Sequence, residues 1–559
     1  MGALWGQTPL ANEPFPHQNP PMIRVTEIKL PLDHDDAALP AAILKRLGIA
    51  ATGMKGFTVF RRSFDARKRD AIHLIYTVDA EVMDEEAALK RLAADKHIRP
   101  TPDMDWHMPV RLARPPARRP VVIGFGPCGI FAGLALAEMG FAPIILDRGK
   151  MVRERTKDTF AFWRKRLLNP ESNAQFGEGG AGTFSDGKLY SQISDPRFLG
   201  RKVLTEFVAS GAPDEILYVA KPHIGTFRLV SMVEHMRGKI ERLGGEIRFE
   251  TRVTGFQVEK DAHGERRMRG ITLADGTMLE ADHVVLAVGH SARDTFEVLF
   301  NDGVHVEAKP FSIGVRIEHP QSLIDKARYG RFAGNKILGA ADYKLVHHAS
   351  NGRAVYSFCM CPGGTVVATA SEPGRLVTNG MSQYSRMERN ANAGLVVAIS
   401  PDDYPGHPLA GIAFQRHWEE MAFKAGGSNY SAPGQLVGDF LAHRPSTTFG
   451  SVIPSYKPSV HLTSLDECLP GYVTAAMREA LPAFDREIRG YGMADAVMTG
   501  IESRTSSPIR IRRGDDLASI NTRGLYPAGE GAGYAGGIFS AGIDGLKVAE
   551  AVARSMAAA

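Results

Sequence analysis

Residues 120–149 read PVVIGFGPCGIFAGLALAEMGFAPIILDRG, and this stretch decides the fold. Val121, Val122 and Ile123 form a short apolar run of the kind that makes a buried strand, and Gly124-x-Gly126-x-x-Gly129 follows without a gap. That glycine spacing supplies a tight turn, a close backbone approach for a pyrophosphate, and close packing of the next helix. Pro127 and Cys128 then open a helix whose free N–H groups and dipole favour an anion. Gly140 reads as its stop signal. A second apolar run, Ile144 to Leu146, ends at Asp147, 18 residues after Gly129. An acid there can accept from ribose hydroxyls. Strand, glycine turn, helix, strand and acid together predict a dinucleotide-binding βαβ unit more than a hundred residues into the chain.

Composition agrees with a large folded protein. The chain has 559 residues, 44% of them hydrophobic, and a formal net charge of +5. That length suggests two to four domains, and so mild a positive balance demands neither nucleic acid nor an anionic membrane. Four cysteines are too few for a disulfide framework at this size, which suggests a reducing compartment, the cytoplasm by default. No apolar run reaches the length of a transmembrane helix, and the first residues lack a positively charged segment leading into an apolar one. A metal site is not expected, since Cys359 and Cys361 have no second ligand pair at matching spacing.

Residues 1–21 read as a flexible leader. Residues 22–110 predict a small α+β domain of ferredoxin-like order: a strand over 23–30, a helix over 37–47, two strands around the polar RRSFDARKR, and a helix near 85–94. The proline-rich RLARPPARR, 111–119, reads as a linker. Residues 120–304 carry the first part of the nucleotide domain, 305–490 an inserted substrate or cap domain, and 491–559 the returning part. Within the first part, VRERTKDTFAFWRKRLL reads as an amphipathic helix with its charges in solvent.

Three further strings narrow the nucleotide. ADHVVLAVGHSARD carries Ala287, Val288 and Gly289, and GLYPAGEGAGYAGGIFSAGIDGLKVAEAV gives a strand, a glycine turn and a terminal helix. With the DRG of Asp147, Arg148 and Gly149, these resemble the two-dinucleotide-binding-domain flavoproteins, the class of glutathione reductase, p-hydroxybenzoate hydroxylase and fumarate reductase. GEGGAGTFSDGKL, KPFSIGVRIEHPQ, FCMCPGG and ESRTSSPIRI are similar to a group of bacterial FAD-dependent dehydrogenases with an N-terminal extension, over nearly the whole chain. The resemblance implies an α/β Rossmann-like FAD-binding fold with an inserted α+β cap domain. It implies FAD, with Gly124, Gly126 and Gly129 at the pyrophosphate and Asp147 on the adenosine ribose. Val253 would lie at adenine, and Gly529 and Glu530 at the ribityl or pyrophosphate region. The amides after Gly537, from Ile538 on, would point at the flavin. Gly531-x-Gly533-x-x-Gly536 also matches the glycine spacing, but a second nucleotide domain would need a further strand and acid. A dedicated NAD(P)H domain is therefore not expected, and NAD(P)H remains a transient electron donor at most.

Several residues can do chemistry. Gly180, Gly182, Thr183 and Ser185 can donate hydrogen bonds across the flavin and phosphates. Lys188 can stabilise negative charge on reduced flavin or substrate, or simply be solvated. Cys359 and Cys361, two apart, would point the same way on a strand and could exchange electrons with a flavin; the plainer reading is two small buried residues beside a Pro-Gly turn. Arg504 and Arg510 suit a substrate carboxylate or phosphate, with Glu502 as a candidate ion-pair partner of Arg504. His223 and His290 are candidate proton donors. The expectation is an FAD-dependent oxidoreductase acting on a small-molecule substrate. The rivals are a tRNA-modifying type of flavoprotein, binding RNA through the basic RRSFDARKR and ARPPARRP, and a flavin-bound sensor or assembly protein using its N-terminal domain as a partner module.

Overall fold

The computed structural model describes residues 22–558; residues 1–21, where the sequence places a leader, lie outside the described residues. The chain divides into two compact units, one running to Asp65 and from Ile72 to Asp103, the other comprising Ala66–Ala71 and everything from Met104 onward.

In the first unit, strands Met22–Pro31, Met54–Asp65 and His73–Val82 and helices Ala38–Leu47 and Glu85–Arg91 follow the expected βαββα order. A short fourth strand, Ile98–Pro100, extends it and pairs antiparallel with the first. The four strands lie antiparallel, with the first and third in the centre of the sheet. Ile23, Val25, Val78 and Ala80 are fully buried there.

The second unit is built on a five-stranded parallel sheet, in spatial order Leu525–Pro527, Val284–Leu286, Val121–Ile123, Ile144–Leu146, Glu246–Arg248. The strand before the second glycine motif thus joins the same sheet as the first, which makes one nucleotide fold from separated pieces of chain. Helix Pro127–Glu138 is apolar all round, and ten of its twelve residues are buried, because the sheet and the terminal helix Ile538–Ala558 enclose it. An antiparallel sheet of Val253–Lys260, Arg266–Leu273 and Met278–Glu280 carries the chain between two parallel strands.

The inserted region forms a seven-stranded sheet at whose centre Phe311–Pro320 pairs with Asn390–Ile399 and Val497–Glu502. This sheet runs to Glu502, past residue 490 where the sequence places its end, because Val497–Glu502 is apolar enough to be buried at every position. The segment read as a linker has no regular elements but is fastened down. Its Leu112 N–H donates to Met139 O, Arg118 pairs with Asp282 at 2.9 Å and Arg119 with Glu246 at 2.8 Å. Among the described residues no helix is long and apolar enough to cross a membrane.

Candidate functional site

A cavity of about 600 Å³ opens at the carboxyl ends of the parallel strands and is closed on its far side by the inserted sheet. That is the place where open parallel sheets bind ligands, and the volume is in the range of small-molecule and cofactor sites. Two helix N-termini reach it, with Gly126, Pro127 and Cys128 from one helix and Gly537 and Ile538 from the other in the wall. Neither Gly129 nor Gly149 lines it. A Cβ on Gly129 would overlap the Gly124 carbonyl oxygen, so Gly129 acts by letting the helix start against the turn. Gly124 has φ 99°, a left-handed value that strains other residues.

The donor chemistry fits an FAD. The wall runs continuously from Asp147, Arg148 and Val253 past Gly126 and Gly180 to Gly289, Gly529 and Ile538, as an extended dinucleotide requires. A Cβ at Gly289, Gly536 or Gly537 would meet open space, so backbone there is bare toward the cavity. Ala287, Val288, Gly182, Ser185 and Glu530 also line it. Asp147 is buried, and its carboxylate accepts from Phe125 N–H at 2.9 Å and Gly149 N–H at 2.8 Å. Burial pushes its pKa up against the lowering by those two amides. Each oxygen retains acceptor capacity for a ribose hydroxyl. Arg148 is held by Glu171 and Asp294. Ser185 donates to Gly182 O at 2.7 Å and so shapes its own loop.

Several sequence expectations need correction. Thr183 is buried away from this cavity, with Oγ1 3.5 Å from Glu178 O and from Arg155 Nη1. Arg155, read as part of a solvated helix face, is fully buried. It donates to Asn173 O, Ala174 O, Gly177 O and Glu178 O and thereby fixes the glycine loop that follows; burial lowers its pKa to about 10 despite Asp147 and Glu178.

Arg504 lines the cavity but is not a free fork for substrate. Its Nε and Nη2 donate to Glu419 at 3.1 and 3.0 Å, and Nη1 donates to Ser371 and Ser291. Glu502 pairs with Arg316 at 3.2 Å instead; the strand ends at Glu502, so Arg504 lies beyond its alternation and reaches different neighbours. Arg510 does not line the cavity; its guanidinium lies 5.5 Å from the Tyr534 ring centre.

Cys359 and Cys361 do not point the same way. A bulge interrupts the strand between Phe358 and Cys361, and Cys359 adopts φ 50°. The extra residue breaks the alternation, so Cys359 is exposed and Cys361 buried, both as free thiols in the cavity wall. Burial holds the Cys361 thiol above its usual pKa, against Lys188 and Arg316. Lys188 Nζ donates to Met360 O and stands 3.7 Å from Asp186. His290 lines the cavity with Nδ1 3.4 Å from Glu530. His223 does not line it and hydrogen-bonds Tyr384 O at 2.9 Å; burial, with Arg386 beside it, lowers its pKa.

Two sets of pairings carried no legible signal. Asp186 and Arg386 form a bidentate pair, with Nη2–Oδ2 at 2.5 Å and Nε–Oδ1 at 3.2 Å, joining residues 200 apart. Arg293 and Arg504 share Glu419 in the same way, and Glu419 lies on helix Ala410–Ala425, which the sequence reading left unassigned.

Comparison with known proteins gives a family for this geometry. Residues 310–505 match a model described as FAD-dependent protein, C-terminal domain-like, and residues 22–81 match a domain of unknown function, DUF8436. An uncharacterized protein of Clostridium beijerinckii is 48% identical over 530 residues, covering 94% of this chain and 98% of its own. The chain belongs to the family of this clostridial protein. The family match at 310–505 ends close to the last strand of the inserted sheet and supports an FAD flavoprotein. Solved structures are far more distant. THI4 of Thermovibrio ammonificans is 17% identical with a TM-score of 0.24, covering 34% of this chain and 63% of its own, less than two thirds of that protein. Glycine oxidase of Geobacillus kaustophilus is 12% identical with a TM-score of 0.34, covering 79% and 95%.

Proposed function

We propose that the protein is an FAD-dependent oxidoreductase of a small-molecule substrate, with NADH or NADPH as a transient electron donor. The observation that supports this most is the meeting, in one cavity, of two helix N-termini from a single parallel sheet with a wall supplied by the inserted sheet. Bound flavin would supply hydride transfer at its N5 position; the protein supplies position and electrostatics. The N–H groups of Gly126 and Cys128 would face the pyrophosphate, and Asp147 would accept from ribose hydroxyls. The amides at Gly537 and Ile538 would place the positive end of the terminal helix where negative charge develops. His290, with Nδ1 3.4 Å from Glu530 in the cavity wall, would serve as a proton donor. Cys359, exposed in the wall, would face the substrate. Four free thiols suit a reducing cytoplasm.

The test is direct. Purified protein should be yellow with an oxidised-flavin absorption spectrum, and the flavin released on denaturation should be FAD. Mixing with NADH and NADPH in a stopped-flow instrument should bleach that spectrum with at least one donor. Colourless protein that cannot be reconstituted with FAD would sink the reading.

A further inference from the structure

The part of the cavity walled by the inserted sheet carries an imbalance of charge. Lys188, Asp186 and Glu502 line it, with Arg386 and Arg316 behind them. Each carboxylate has its own guanidinium: Asp186 is bidentate with Arg386, and Glu502 pairs with Arg316. Lys188 is left with a neutral carbonyl, Met360 O, and the already paired Asp186 at 3.7 Å. His223 adds nothing, since burial keeps it neutral near pH 7, and the Cys361 thiol stays protonated for the same reason. Asp342, also in the wall, pairs with Lys221 at 2.8 Å. Lys344 adds another exposed cation to the wall. Buried charges ordinarily have a partner, because an unmatched one is costly. Burial opposes the Lys188 ammonium, and the Asp186 carboxylate 3.7 Å away favours it.

The neighbours describe the missing partner. Phe358 and Met360 line the cavity on the strand that Lys188 meets through Met360 O, giving an apolar wall beside the ammonium. Arg386, which anchors Asp186, and Cys359 both have positive φ, 51° and 50°. Such strain persists where surrounding structure over-determines it, commonly at ligand sites. The flavin side would already have the positive end of helix Ile538–Ala558, whereas Lys188 is tied to Met360 and Asp186, on the inserted-sheet side.

We propose that Lys188 is the counter-ion of a substrate carboxylate, and that the substrate class is a small organic acid with a compact apolar body seated against Phe358. This rests on the flavoenzyme reading and narrows it.

The experiment compares acids with their neutral amides on the purified full-length protein by isothermal titration calorimetry, which does not need the flavin as reporter. The probes are acetate with acetamide, succinate with succinamide, and benzoate with benzamide. At least one acid should bind about 10- to 100-fold tighter than its amide, the worth of one charge-assisted hydrogen bond. Lys188→Met should erase that preference while leaving amide binding, FAD content and melting temperature near wild type, and Lys188→Arg should restore part of it. Acids that bind no better than amides, or a preference that survives Lys188→Met, overturn the proposal. So does a Cys359 thiolate as the resident counter-ion, seen as thiolate ultraviolet absorbance that titrates well below the usual thiol range and is absent in Cys359→Ser. FAD content is measured separately. Yellow protein indifferent to probe charge overturns the anion site alone, while protein that never holds FAD yet binds acids through Lys188 overturns the flavoenzyme reading alone.

Discussion

A single missing Cβ at Gly129 sets the distance between a helix and the turn before it. Alanine there would overlap the Gly124 carbonyl, so Gly129→Ala must push the helix start away from the turn that lines the cavity. We expect FAD retention after desalting to fall at least tenfold, and the melting temperature to fall by several degrees, as about 1–3 kcal/mol of overpacking strain implies. His319 gives a pH-dependent counterpart. It is fully buried, Nε2 hydrogen-bonds Tyr491 O at 2.7 Å, and burial pushes its pKa down to about 4, against that bond. The unfolded chain therefore binds one more proton than the folded one between pH ~6.5 and ~4. Stability from this group is present above pH ~6.5 and declines on acidification at up to about 1.4 kcal/mol per pH unit. Denaturant unfolding at several pH values should show a shallower acid slope for His319→Gln; an unchanged slope would contradict the assignment.

Elements were legible where one stretch of sequence contains its own partners. The strand–turn–helix of residues 121–138 was readable because apolar runs and glycine spacing are local signals. The helix Val152–Lys165 was also readable, but the burial of Arg155 was not. Its partners are four carbonyls of an irregular loop, and a backbone acceptor leaves no mark on composition. The same blindness affected Cys359, because a bulge reverses side-chain direction without changing residue pattern. Glu419, Arg293 and Arg504 were missed as a set because their pairing joins positions more than 80 apart. Arg155 supplies a test at this scale. Arg155→Met removes the guanidinium donors to Asn173 O, Ala174 O, Gly177 O and Glu178 O, and a buried carbonyl left unpaired costs about 1–3 kcal/mol. Hydrogen exchange should accelerate selectively across residues 173–184, with a melting temperature several degrees lower; uniform protection would refute this role.

In the second unit, the nucleotide-binding pieces and the inserted sheet are held together by buried charge as well as by packing. Arg293 follows the Val284–Leu286 strand, Glu419 lies on helix Ala410–Ala425 of the insertion, and Arg504 sits where the chain leaves the inserted sheet. Glu419 accepts from Arg293 at 2.7 and 2.9 Å and from Arg504 at 3.1 and 3.0 Å. Burial raises its pKa, but the two guanidiniums outweigh burial and hold it far below the usual carboxylate range. One carboxylate therefore screens two buried like charges, with Glu372 close to both. Glu419→Gln leaves those cations facing each other without their central anion, which should destabilise the fold by about 3–5 kcal/mol. Arg504→Met removes one cation and should be less damaging in the Glu419→Gln background than in the wild type, because the repulsion it relieves exists only there. Since Arg504 also donates to Ser291 Oγ at 3.0 Å in the cavity wall, loss of the network should weaken FAD retention together with stability. Denaturant melts of the two single variants and the double variant measure the coupling directly. Strictly additive effects would mean that Glu419 and Arg504 act independently.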